Sequence, residues 1–152
     1  YDVVSLLEIF TDSSKILPTY QRIAQAEIAY RGINATAQDC LWDTFDAAFS
    51  IASRGKIGAK EYPLYVKGIR DLRGHIYAEN YSPEIAAVRA VRVMYLAMCL
   101  LTGNTYKKVE DANEMSDKKL MHSELASLKY LRKVNLEAYS YLILLDEILE
   151  VR

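Results

Sequence analysis

The stretch from Ser82 to Gly103 constrains this chain more than any other. Ser82 can cap a helix with its hydroxyl. Pro83 suits a first turn, where the missing N–H would have no intrahelical partner, and Glu84 complements the positive end of the helix dipole. Gly103 stands where a left-handed residue would end the helix. From Val93 to Leu101 the residues are apolar without interruption. A helix apolar nearly all round belongs at the centre of a fold. The run is far short of the roughly 20 residues that span a bilayer, and Arg89 and Arg92 stand just before it.

The remaining punctuation is also helical. Pro18 and Pro63 stand where helices could begin, and Gly32 and Gly55 where they could stop. No segment alternates with period two, so strands are not expected. The three-four spacing of apolar residues predicts a short helix over 3–10 with Leu6, Leu7 and Phe10 inward. A second is expected over 18–31 through Tyr20, Ile23, Ala24 and Ile28. A third, after Asn34, has the stripe Leu41, Phe45, Ala48, Phe49 and Ala52. A fourth is predicted over 63–79, with Gly68 and Gly74 inside it at a cost of about 1 kcal/mol each. The last is read as one long C-terminal helix over 116–150, keeping its seam through Leu131, Asn135, Ala138 and Leu142. The expected fold is all-α: one compact bundle of five to six helices, residues 1–152 as a single domain.

A net charge of −1 at neutral pH gives no electrostatic footprint for nucleic acid or an anionic membrane. Cys40 and Cys99 sit in apolar helical context and read as buried free thiols, which fits a reducing, cytoplasmic compartment. No secretory leader is readable, although the first residue is Tyr1 rather than Met, which leaves room for an upstream segment.

Asp39, Asp43 and Asp46 are spaced by four and three, so they share one face of the third helix, with Trp42 beside them. The spacing suits a solvated face. It also suits an anionic stripe that meets a cationic partner. Asp71, His75 and Glu79 fall at i, i+4 and i+8 of the fourth helix, a ladder that suits surface charge better than a metal or a general base. Around that helix Lys56, Lys60, Lys67, Arg70 and Arg73 interleave with tyrosines. Arg89 and Arg92 are costly on an apolar helix unless paired, so they face either acids of a neighbour or an anion in a cleft. Residues 109–120 resemble a helix-turn-helix with Lys118 and Lys119 opening the second helix, but Glu114 stands where glycine often does, and Asp117 and Glu124 oppose phosphates.

The chain holds twelve tyrosines against one tryptophan. Tyr20, Tyr95, Tyr139 and Tyr141 fit core or seam positions. Tyr62, Tyr65, Tyr77 and Tyr81 bracket the fourth helix and are expected to form an exposed aromatic patch, a common anchor at interfaces. No nucleophile elbow, phosphate loop, cofactor motif or metal spacing is present. These features together favour a non-catalytic domain that binds another protein, with Asp39, Asp43 and Asp46 steering it and Trp42 and the four tyrosines anchoring it. In gross profile the chain resembles small acidic helical inhibitors such as bacterial toxin-neutralising immunity proteins, which implies a cationic toxin or nuclease as partner. The alternatives are a small-molecule-binding or enzymatic bundle built on Arg89, Arg92 and His75, and a helix-turn-helix regulator.

Overall fold

The computed structural model describes residues 1–10 and 12–150, the last by its backbone alone. The fold is all-α. Among the described residues the helices are α1 (Asp2–Ile9), α2 (Ile16–Arg31), α3 (Ala37–Ala52), α4 (Tyr62–Arg73), α5 (Pro83–Thr102), α6 (Leu131–Val134) and α7 (Leu136–Glu150), with short 3-10 turns at Ser13–Lys15, Ala112–Met115 and Ser123–Leu128.

α5 is the axis. The Ser82 hydroxyl accepts the Ile85 N–H at its start, and Gly103 closes it in a left-handed conformation (φ 72°). α3 packs along one side of it and α7 along another. Its 20 residues and mean hydropathy of 1.7 would also let it reach across a bilayer, but here it is the core helix. Val91, Met94 and Met98 are almost wholly buried with Phe45 and Ala52 of α3 and Leu142 and Leu145 of α7. Fully burying a Leu, Phe or Met side chain stabilises by about 1.5–3 kcal/mol. The predicted α3 stripe Leu41, Phe45, Ala48, Phe49 and Ala52 is buried throughout.

Three expectations need correction. The C-terminal helix does not run from 116. Asn135 breaks it in an extended conformation (φ −155°, ψ 106°), and its Oδ1 accepts the Ala138 N–H at 2.8 Å. The seam residue is therefore a helix cap, a role Asn fills because its side chain imitates a backbone acceptor. α4 stops at Arg73, with Gly74 as its cap rather than an interior residue. No second helix begins at Lys118, since residues 117–122 hold no helical turn, so the helix-turn-helix geometry is not formed.

The outer helices are less buried than their patterns suggest. In α1, Val4 and Leu7 face inward while Leu6 and Phe10 are exposed. α2 has no buried residue, and its Ile23 is exposed. Cys99 is buried, whereas Cys40 is only half-buried; both are free thiols.

Phenolic hydroxyls hold the irregular parts to this frame. Tyr95 accepts the Lys107 N–H and Tyr141 the Val109 N–H, each at 3.2 Å. Tyr139 donates to the Lys118 carbonyl, Tyr130 to that of Ala52 and Tyr20 to that of Ala37, each at 2.8 Å. Asp146, buried on α7, accepts the Met121 N–H at 2.6 Å, the His122 N–H at 3.0 Å, and pairs with His122 Nδ1 at 2.9 Å. A chain segment without regular structure needs such partners, because an unmet buried N–H costs about 1–3 kcal/mol.

Candidate functional site

The outer face of α3 carries the predicted acidic stripe, and its three aspartates do different work. Asp39 belongs to a capping box. Its Oδ2 accepts the Thr36 N–H and hydroxyl, both at 2.7 Å, while Thr36 Oγ1 accepts the Asp39 N–H at 3.1 Å. These bonds, the Thr36 hydroxyl first, hold its carboxyl below the usual aspartate range. Asp43 and Asp46 are exposed and pair with no Lys or Arg among the described residues. Trp42 flanks Asp46 on the same face, 38% exposed, edge-on to Phe45 with ring centroids 5.8 Å apart. The face is thus a wedge of indole and carboxylate seated rigidly on the core.

The four-tyrosine patch does not form. Tyr77 is 95% exposed, but Tyr81 is 5% exposed and sits edge-on to Tyr1. Tyr65 is half-buried, and Tyr62 lies over the turn at Gly55. A stop in α4 at Arg73 also dissolves the Asp71, His75, Glu79 ladder, and Glu79 instead pairs with Arg89 at 2.9 Å. Lys56, Lys60, Lys67, Arg70 and Arg73 are exposed. Among the described residues, no group of three or more His, Cys, Asp or Glu could hold a metal ion.

The arginines of α5 face a cavity of about 450 Å³ between α1 and the N-terminal ends of α5 and α7. Its charged lining is Glu8, Glu84, Arg89, Arg92 and Glu137, with Ser5, Asn135 and Tyr141 beside them. Arg92 is 4% exposed. Its Nη1 donates to the Glu8 carboxylate, its Nε to the Tyr106 hydroxyl at 2.5 Å, and its guanidinium carbon lies 4.9 Å from the Tyr141 ring centroid. Burial would lower its pKa, but the bonds to Tyr106 and Glu8 outweigh that and raise it. Arg89 lies 4.6 Å from the Tyr1 ring centroid. One nitrogen of each guanidinium, Arg89 Nη1 and Arg92 Nη2, is buried without a hydrogen-bond partner among the described residues.

Spacing places Asn135 in an apolar seam and Glu84 at a helix start, and gives no sign that either of them, or Glu8 or Glu137, lines a cavity. Asn135-Leu136-Glu137 does carry a start signal, a capping residue followed by an acid, but apolar periodicity running through it hides the break. Glu8 joins Arg92 only through the tertiary packing of α1 on α5.

No protein-family model, curated protein or solved structure matches the chain.

Proposed function

We propose that this chain is a non-catalytic protein-binding domain whose α3 face receives a cationic partner, as an inhibitor that masks a basic active site in the manner of bacterial toxin-immunity proteins. The observation that carries this reading is the pair Asp43 and Asp46, exposed on the face that also carries Trp42 and forming no salt bridge among the described residues. Some acids elsewhere do find cations, as Glu8 with Arg92 and Lys108, Glu79 with Arg89 and Glu147 with Lys118. Like charges on one helix face cost a few tenths of a kcal/mol, a cost that a cationic partner would reverse. Carboxylates at the rim raise the association rate, and a half-exposed Trp offers the desolvated anchor that contact needs. The two free thiols suit a reducing compartment, so the partner is sought in the cytoplasm.

Affinity capture from the source cells tests this reading, with wild type and Asp43→Asn/Asp46→Asn as baits. The expected result is a basic protein that wild type retains at low salt, releases as salt rises, and that the double variant fails to retain. Equal retention by both baits would sink the role of the stripe.

A further inference from the structure

We propose that the outer face of α4, with the turns that lead into it, docks on an anionic phospholipid surface. Lys56, Lys60, Lys67 and Arg70 meet the lipid phosphates and carboxylates, while Leu64 and Leu72 enter the headgroup layer. This surface is separate from the α3 stripe and does not rest on the role given to that stripe.

The charge is local. Residues 54–73 hold six Lys or Arg against Glu61 and Asp71, a net charge of +4 in a chain whose total is −1. The near-neutral total conceals the excess. Arg54 lies over the Tyr130 ring, 5.0 Å from its centroid. Lys56, Lys60, Lys67, Arg70 and Arg73 are exposed and form no salt bridge among the described residues. Glu61 and Asp71 are exposed as well, and neither pairs with them.

Helical spacing sorts the side chains into rows. Ile69 is buried and Tyr65 and Val66 half-buried, which fixes the inner side of α4. Lys67, Arg70 and Arg73 follow at three-residue spacing along one flank. Leu64, Gly68 and Leu72 follow at four-residue spacing along the other, with Asp71 between the rows. Leu64 is 70% exposed. The turns at 53–61 are tied to the fold. Ser53 Oγ accepts the Ile57 N–H at 3.0 Å, the Ser50 hydroxyl donates to the Gly58 carbonyl at 3.1 Å, and Gly55 lies against the Tyr62 ring. They hold Lys56 and the exposed Ile57 at the start of α4.

Chemistry selects the partner. A cationic row beside an aliphatic row suits a helix lying in a membrane interface, where apolar side chains reach the acyl boundary and cations stay at the phosphates. Each Lys or Arg close to an anionic leaflet adds attraction, and here the cations outnumber Asp71 and Glu61. Nucleic acid would be met by exposed rings on which bases stack. Tyr62 and Tyr65 are half-buried, and Ile57, Leu64 and Leu72, the exposed large apolar residues of this stretch, are aliphatic. A small anion needs a concave site, and none of the five unpaired cations lines the cavities around α1, α3 and α5. A bilayer needs no pocket.

Vesicle flotation tests the proposal, with phosphatidylcholine alone and with about 30% phosphatidylserine added. Wild type is expected to float with the anionic vesicles only, and to come off as salt rises to about 0.5 M, where screening shortens the reach of each charge. Lys67→Gln/Arg70→Gln should weaken binding about tenfold or more. Leu64→Gln/Leu72→Gln keeps every charge and should weaken it about tenfold while preserving the salt dependence. Both pairs are exposed, and circular dichroism should show an intact fold. A tryptophan placed by Leu64→Trp should be quenched by brominated lipid in anionic vesicles, whereas Trp42 of wild type should not. Asp43→Asn/Asp46→Asn should float at least as well as wild type, which keeps this test apart from that of the α3 face. Absence of flotation, equal flotation with neutral vesicles, or full binding by folded Lys67→Gln/Arg70→Gln would each overturn the proposal. Retention on immobilised polyuridylate without flotation would make the face a nucleic-acid surface and overturn it too.

Discussion

The Tyr141 hydroxyl, on a ring 1% exposed in α7, accepts the backbone N–H of Val109 at 3.2 Å. The two residues are 32 positions apart, and one phenol joins the core helix to a segment that has almost no regular structure of its own. Tyr141→Phe keeps the ring and strands the N–H. We expect a loss of about 1–2 kcal/mol in urea unfolding, with faster amide exchange at Val109 than in wild type. Unchanged exchange would show that the bond does not hold the segment.

Asp146 should matter more than any single phenol. It is 3% exposed and gathers two backbone N–H groups and the His122 ring. Asp146→Asn places an amide donor among three donors. The expected cost is about 2–4 kcal/mol, read from the denaturation midpoint, with amide exchange at Met121 and His122 rising before that of α5.

Acid should weaken the hold of α1. The hydrogen bond from Arg92, ahead of those from Lys108, keeps the Glu8 carboxyl below its ordinary value of 4.5. A depressed folded pKa contributes stability above the unfolded value, and that stability is lost as pH falls through the folded value. Wild type should therefore lose more stability than Glu8→Gln between pH 6 and pH 3. Glu8 is half exposed, so solvent screening limits the difference to under about 1 kcal/mol. Parallel acid titration curves for the two proteins would contradict this.

At alkaline pH the buried phenols should resist ionisation. Burial pushes Tyr95 and Tyr106 well above the ordinary tyrosine value and the Cys99 thiol up to about 11. Such raised groups favour the folded state below their unfolded values and cease to do so as pH climbs through the folded ones. Ultraviolet titration should show Tyr95 and Tyr106 ionising only with cooperative unfolding. A smooth titration of all phenols in the folded protein would refute the arrangement.

Gly55 should tolerate no side chain. Its φ is 76°, and a Cβ there would lie 2.6 Å from Tyr62 Cδ1. Gly55→Ala combines left-handed strain with that clash, at a cost of about 2 kcal/mol or more. In a double-mutant cycle with Tyr62→Ala the clash should vanish and the strain remain. Full recovery would mean the backbone conformation costs nothing.

How much of this was legible in the sequence depends on where each element finds its partners. α5 carries its own start, stop and apolar surface, and α3 its own stripe, so both follow from local pattern. Asp39, Asp43 and Asp46 share a face because helical spacing alone dictates it. The region between Ser116 and Leu136 looks like continuous helix in the sequence because it is held by hydroxyls and one carboxylate from distant residues, which leave no period to detect. The tyrosine patch failed for a related reason. Adjacency around α4 is a one-dimensional fact, whereas exposure depends on Tyr81 turning in to meet Tyr1 and on Tyr62 covering Gly55. Arg92 showed that it needed a partner, but nothing local pointed to Glu8 at a separation of 84 residues.

The segment pinned by Tyr95, Tyr141, Tyr139 and Asp146 has one more consequence. Its anchors stand on two different helices, α5 and α7. Those anchors converge only once the helices lie side by side, so the segment has no shape to adopt beforehand. We expect it to order after the bundle, and limited proteolysis of the loosened bundle to cut there first.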